Sequence, residues 1–163
     1  MRIGILSDSH GRHLLVRQAM ALFDSVGVGH VIHCGDVGGV EVFEEMVGRP
    51  CTFVWGNTDI LTDRLLTFLH TVGIEEPQEV PIRLTLDGKT LAVFHGHEPE
   101  FRQSISSPRA QYVLHGHTHE TRDERIGQER VINPGALHRA RRKTVAVLDL
   151  PTDRLSFHEL RDS

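Results

Sequence analysis

Seven residues in this sequence are of types that bind metal ions, and each follows a short apolar run. They are Asp8 and His10, then Asp36, Asn57, His95, and finally His117 with His119. Gly35, Gly56, Gly96 and Gly116 stand immediately before Asp36, Asn57, His97 and His117, so glycine lies beside most of the set. Every donor is an oxygen or a nitrogen, and none is a thiolate. Such a mixture suits Mn, Fe, Zn, Ni or Co better than a structural thiolate zinc site. In extended backbone, residues i and i+2 point to one side. Asp8-Ser9-His10 and His117-Thr118-His119 are therefore each expected to aim two ligands at one place. Seven donors exceed the needs of one structural ion. With one shared carboxylate and solvent they suit two.

The elements that must carry these residues follow from periodicity. Arg2 to Leu6 reads as a short buried strand. Leu14, Leu15, Gln18, Ala19, Leu22 and Phe23 recur at helical spacing, which predicts a helix over roughly 12–25. Val31 and Ile32 open a second strand, and Val40 to Val47 reads as a helix closed by Gly48 and Pro50. Thr52 to Trp55 is a third strand, followed by a helix over Leu61 to Leu69. Strands alternating with helices imply a parallel sheet. The second half differs. Val80 to Leu86 and Leu91 to Phe94 form a hairpin about Asp87-Gly88. Tyr112 to Leu114 is a further strand. Segments 121–126 and 129–132 pair about Gly127-Gln128, and Val145 to Leu150 pairs with Leu155 to Phe157. The seven candidate ligands thus fall at the carboxyl ends of five strands, where open α/β sheets bind ligands.

Composition limits the function. The 163 residues are 39% hydrophobic and 25% charged, as in one soluble globular domain spanning 1–163. The formal net charge is −4, so long nucleic acid is not an expected partner. Twelve histidines are the one anomaly. Cys34 and Cys51 read as two free thiols of a reduced protein in neighbouring strands. The apolar run at the N-terminus is too short for a signal peptide, and none spans a bilayer. The expected location is cytoplasmic, with no membrane partner; oligomeric state cannot be read.

The ordered set Asp8-Ser9-His10, Gly35-Asp36, Gly56-Asn57-Thr58-Asp59, His95-Gly96-His97 and Gly116-His117-Thr118-His119 resembles the calcineurin-like metallophosphoesterases. The chain length and Asn133-Pro134-Gly135 resemble their small bacterial and archaeal phosphodiesterase branch. The resemblance implies an α/β fold, a four-layer α-β-β-α sandwich of two mixed sheets flanked by helices. It implies that Asp8, His10, Asp36 and His119 hold one ion. Asp36 would bridge to a second, held also by Asn57, His95 and His117. It implies two divalent ions, manganese first among Mn, Ni, Fe, Zn and Co. The substrate would be a small phosphate ester, attacked in line by a metal-bridging hydroxide. The catalytic candidates are Asp36, Asn57 and His97, with His97 read as either supporting the ligands or facing the substrate, and plain solvent exposure as the alternative. The alternative is a metal-binding scaffold of the same fold, like the retromer subunit that resembles this family.

One departure bears on chemistry. Many family members carry His after the Asn of the third motif, and this chain has Thr58. A hydroxyl cannot donate a proton near neutral pH as imidazolium can. Diesters and esters with acidic leaving groups are therefore the expected substrates. Asp59, which in that family often orients the missing His, has no assigned role. Trp55 reads as packing at a strand end, with stacking on a base or aryl group as the alternative. Arg139, Arg141, Arg142 and Lys143 read as a solvated basic loop that could steer anions. Asn133 to Gly135 reads as a turn. His33 and His115 read as residues within strands that either fill the core or support the ligands, and His13, His30, His70, His138 and His158 have no role.

Overall fold

The computed structural model describes residues 1–106 and 110–161. Two mixed five-stranded sheets stack face to face. The first holds β1 (Arg2–Leu6), β2 (Val28–His33), β3 (Cys51–Phe53), β9 (Lys143–Asp149) and β10 (Arg154–Leu160), in the order β10-β9-β1-β2-β3. Strands β1, β2 and β3 run parallel, and β9 and β10 fold back antiparallel. The second holds β4 (Ile82–Leu86), β5 (Lys89–Val93), β6 (Tyr112–Leu114), β7 (Thr121–Ile126) and β8 (Glu129–Pro134), in the order β4-β5-β6-β8-β7. Here β5, β6 and β8 are the parallel strands.

Three apolar clusters separate four layers. Between the sheets, Ile3, Ile5 and Ile32 face Leu91, Val93, Leu114 and Ile132. On the outside of the first sheet lie α1 (His13–Ser25), α2 (Val40–Met46) and α3 (Asp63–Val72). Helix α1 buries Leu15, Val16, Ala19, Met20 and Phe23, a stripe at helical spacing, against Leu6 and Val31. Helix α3 starts where Thr62 caps it, its side chain accepting from Leu65 N–H at 3.2 Å. On the outside of the second sheet, α4 (Pro99–Ser106) lays Phe101 on Phe94, with ring centroids 5.5 Å apart. Removing each of these rings from water contributes about 2 kcal/mol. The implied α-β-β-α sandwich is therefore the observed architecture.

The differences from expectation are local. Helix α4 lies where no helix was predicted; only Pro99, a residue favoured in the first helical turn, marks its start. Strand β3 stops at Phe53, and Trp55 lies beyond it, edge-on to Phe53 and Phe43 at 4.7 and 6.0 Å. Trp55 is thus a packing residue. Asn133 and Pro134 close β8 rather than forming a turn, although the Asn133 side chain accepts from Gly135 N–H. His33 ends β2, and His115 falls one residue beyond β6. Lys143 opens β9 and is not part of the loop. Cys34 and Cys51 are free thiols.

Candidate metal centre

The carboxyl ends of β1, β2 and β3 in one sheet and of β5 and β6 in the other meet along one edge of the sandwich. Every candidate ligand leaves its strand there within a few residues. The local backbone is not extended, however. Asp8, His10, Asp36, His117 and His119 all have positive φ, between 43° and 69°. The paired ligands converge because tight left-handed turns aim them, not because alternate residues of a strand share a side. Such backbone is uncommon outside glycine, although Asp and His adopt it more readily than most residues, and it clusters at functional sites. The turns are locked by backbone hydrogen bonds, Asp8 N–H to Gly35 C=O at 3.0 Å and His10 N–H to Asp36 C=O at 2.9 Å. Gly56 lets two of the turns touch: a Cβ there would lie 2.1 Å from Asp36 Oδ1 and 2.3 Å from its backbone nitrogen.

The side chains form two overlapping groups, Asp8 with His10 and His119, and Asp8 with Asp36 and His95. Asp8 uses one oxygen structurally. Its Oδ2 accepts from Ser7 Oγ at 2.6 Å and from His117 N–H at 3.0 Å. Its Oδ1 is buried without a hydrogen-bond partner and faces His119 Nε2 at 3.1 Å. His10 Nε2 is likewise buried without one. Asp36 divides its oxygens in the same way. Oδ1 accepts from Thr58 N–H at 2.9 Å, while Oδ2 sits 3.5 Å from His10 Nε2 and 3.4 Å from His95 Nε2. Burial pushes the Asp36 carboxyl up, but hydrogen bonding from Thr58 and the facing His95 and His10 outweigh it and hold it below the usual range.

His95 is fully buried, and its Nδ1 lies 2.7 Å from Cys34 C=O. A carbonyl only accepts, so Nδ1 carries the proton and Nε2 presents its lone pair to the centre. Asn57 Oδ1 lies 3.0 Å from that Nε2. The His117 ring packs edge-on to His95, with centroids 5.0 Å apart, and stays exposed. Burial, then His95, lowers its pKa. All seven candidates therefore gather at one centre. His97, at the rim, has its ring centroid 5.4 Å from that of His95 and 6.1 Å from that of His117.

A family model for the calcineurin-like phosphoesterase superfamily domain matches residues 1–153. The chain belongs to the calcineurin-like phosphoesterase superfamily. A phosphodiesterase of Methanocaldococcus jannaschii is 30% identical, with 98% of each chain covered. A solved archaeal phosphodiesterase superposes with a TM-score of 0.88 at 29% identity, over 98% of this chain and 100% of that one. Vps29 of Entamoeba histolytica, solved with Zn2+, shares the fold with a TM-score of 0.67 at 14% identity, over 98% of each chain.

For a member of this metal-dependent superfamily, the donors present fit divalent cations. Two buried ligand atoms, Asp8 Oδ1 and His10 Nε2, lack hydrogen bonds that a cation would replace. The residues that brace this candidate centre were not all foreseen. Glu98, buried beside His97, accepts from His95 N–H at 2.8 Å and Gly96 N–H at 2.6 Å and so pins the His95 loop. Its only sequence signal is an acid three positions after a candidate ligand, just before Pro99. Ser9 Oγ pairs with His33 Nε2 at 2.8 Å, and Asn133 Nδ2 donates to Gly116 C=O at 2.8 Å beneath the His117 loop. Asp59, which had no assigned role, accepts from Gly38 N–H and Gly56 N–H and ties two loops together; burial pushes its carboxyl up. His138, also without a role, lies against His10 with ring centroids 5.0 Å apart.

Proposed function

We propose that the chain is a binuclear metal-dependent phosphodiesterase acting on small phosphate esters. Asp8, His10, Asp36 and His119 would hold one ion, and Asp36, Asn57, His95 and His117 the other. The observation that carries this reading is Asp36 Oδ2, a single oxygen placed between His10 Nε2 and His95 Nε2 at nearly equal distance. Asp8 also belongs to both side-chain groups, but its free Oδ1 lies 3.1 Å from His119 Nε2 and 4.0 Å from His10 Nε2, both of the first ion's set, so Asp36 is the better bridge. Manganese is the first choice of metal, because an O/N donor set without thiolate suits it. Two divalent ions supply Lewis acidity, lowering the pKa of water and neutralising phosphate oxygens.

The chain's own residues do the rest. Thr58 N–H, with the facing His95 and His10, keeps Asp36 ionised and oriented against the opposing effect of burial. Cys34 C=O and Glu98 hold the His95 ring in place. Asn57 and His97 stand at the open side, where a substrate phosphate would approach. Manganese-dependent hydrolysis of bis(p-nitrophenyl) phosphate, run beside metal analysis of chelator-free protein, tests the proposal. Two ions per chain and metal-dependent turnover are expected. Two bound ions without turnover, with any of Mn, Ni, Fe, Zn or Co, would leave a scaffold. One ion or none, even with excess manganese, would remove the binuclear reading.

A further inference from the structure

The sandwich splays open beside the metal centre. A cleft of about 630 Å3 begins at Thr118 and His119 and runs between Thr121 of β7 and Thr144 and Phe157 of β9 and β10. Its remaining wall is the loop Arg139, Ala140, Arg141, Arg142. The volume lies within the range of small-ligand sites. Three exposed arginines in four positions line it, on a chain of formal net charge −4.

Two observations separate this loop from an ordinary solvated surface. First, among the described residues Arg139 and Arg141 have no carboxylate within ion-pair distance. The closest acid to Arg142 is Glu159, at 3.9 Å. Among the described residues, Glu120 is the only acid on the cleft wall. The guanidinium groups are therefore available to an anion, and their planar forks suit phosphate. Second, eight described non-glycine residues have positive φ. Asp87 and Asp153 are in hairpin turns, and five more are the candidate metal ligands. Arg139, at 50°, is the eighth. Backbone strain of this kind costs about 1–3 kcal/mol and concentrates where a ligand is met. Phe157, 39% exposed, lies on the same face of β10 as Leu155, which packs between the sheets. It gives the cleft one apolar wall.

We propose that this cleft binds the second arm of the substrate, and that the arm carries its own phosphate. The inference rests on the phosphodiesterase reading for the position of the reacting phosphate. It narrows the substrate class to diesters in which a nucleoside-sized arm bears a further phosphate. The scissile phosphate lies at the metal centre beside His119, the arm lies along Phe157, and the terminal phosphate meets Arg139, Arg141 and Arg142.

Titration calorimetry with thymidine 3′,5′-bisphosphate and thymidine 5′-monophosphate tests the subsite without turnover. It is run on the full chain as purified and again after chelation, so the result does not depend on the metal reading. The wild-type chain should bind the bisphosphate at least tenfold more tightly than the monophosphate under both conditions. The combined Arg139→Ala, Arg141→Ala and Arg142→Ala variant should lose that preference. Arg64→Ala, an exposed arginine on α3, should keep it. Equal affinities for the two nucleotides, a preference that survives the triple substitution, or no binding by the wild type would each overturn the proposal.

Discussion

At the scale of single residues, the centre works by division of labour within each carboxylate. Asp8 and Asp36 each spend one oxygen on N–H or O–H donors and keep the other free. Replacing Asp36 with Asn keeps the shape and the Thr58 contact but removes the charge at the proposed bridge. Asp36→Asn should lower turnover by at least a hundredfold and leave thermal unfolding of the metal-free protein within a few degrees. His13→Ala, at a ring 3.8 Å from Glu45 and away from the candidate ligands, should change neither. Near-normal activity of Asp36→Asn in metal-controlled assays would refute the bridge. Thr58 is the second residue to test. Its N–H is bonded to Asp36 Oδ1, and its Oγ1 lies 3.4 Å from His10 Nδ1. No imidazole stands at this position to protonate a leaving oxygen, a step typically worth ~10²–10⁴ in rate. Rate should fall steeply as leaving-group pKa rises, and Thr58→His should flatten that slope. Thr58→Val, which loses the His10 contact without gaining an acid, should lower the whole line and keep its slope. Parallel lines for all three proteins would show that the proton comes from elsewhere.

At the scale of elements, the centre depends on two sheets held in register, and one buried arginine contributes to that. Arg130 in β8 grips both carboxylate oxygens of Asp123 in β7 at 2.7 and 2.8 Å. Its Nη1 also donates to Asp153, in the β9–β10 turn of the other sheet, at 2.7 Å. Tyr112 in β6 donates to the same Asp153 carboxylate at 2.9 Å. Arg130 hydrogen bonding holds the Asp123 carboxyl below its ordinary pKa. Both acids are more than a third exposed, so solvent screens the pairs. Arg130→Met should therefore cost about 1–3 kcal/mol, between surface and buried ion-pair losses. Urea denaturation would show it as a lower midpoint at unchanged slope. No loss would mean that the two sheets are held by the apolar layer alone.

At the scale of the whole molecule, two buried histidines couple folding to pH. Burial, then the neighbouring His95, pushes His33 down to about 3, and burial takes His115 down to about 4. Both pKa values are depressed, so the folded state binds fewer protons than the unfolded chain, in which histidine titrates near ~6.5. Their contribution is fully present above that value. It drains as pH falls, down to about 4 for His115 and about 3 for His33. Each should remove about 1.4 kcal/mol of stability per pH unit within its window. The metal-free protein should show this in urea denaturation between pH 7 and 5, and His33→Gln should make the dependence shallower by one proton. A flat profile over that range would refute the assignment.

Much of this was legible in the sequence, for a physical reason. Metal ligation demands particular atoms, and strand ends followed by glycine announce themselves through hydropathy and turn chemistry. Asp8, His10, Asp36, Asn57, His95, His117 and His119 could thus be named as candidate ligands before any fold was known. The layer order came only through resemblance, because periodicity finds strands but not which sheet each joins. Tertiary structure alone decided the rest. Extended alternation was the wrong reason for the Asp8–His10 pairing, since φ is set by contacts with the Asp36 and Gly56 loops. Glu98 reads as one more polar residue until folding brings its carboxylate onto two backbone N–H groups. Arg139 to Arg142 read as a solvated loop until β7 and β10 rise on either side of it. Ligand identity is chemistry carried by single side chains, whereas bracing, strain and clefts belong to pairs of segments distant in the chain.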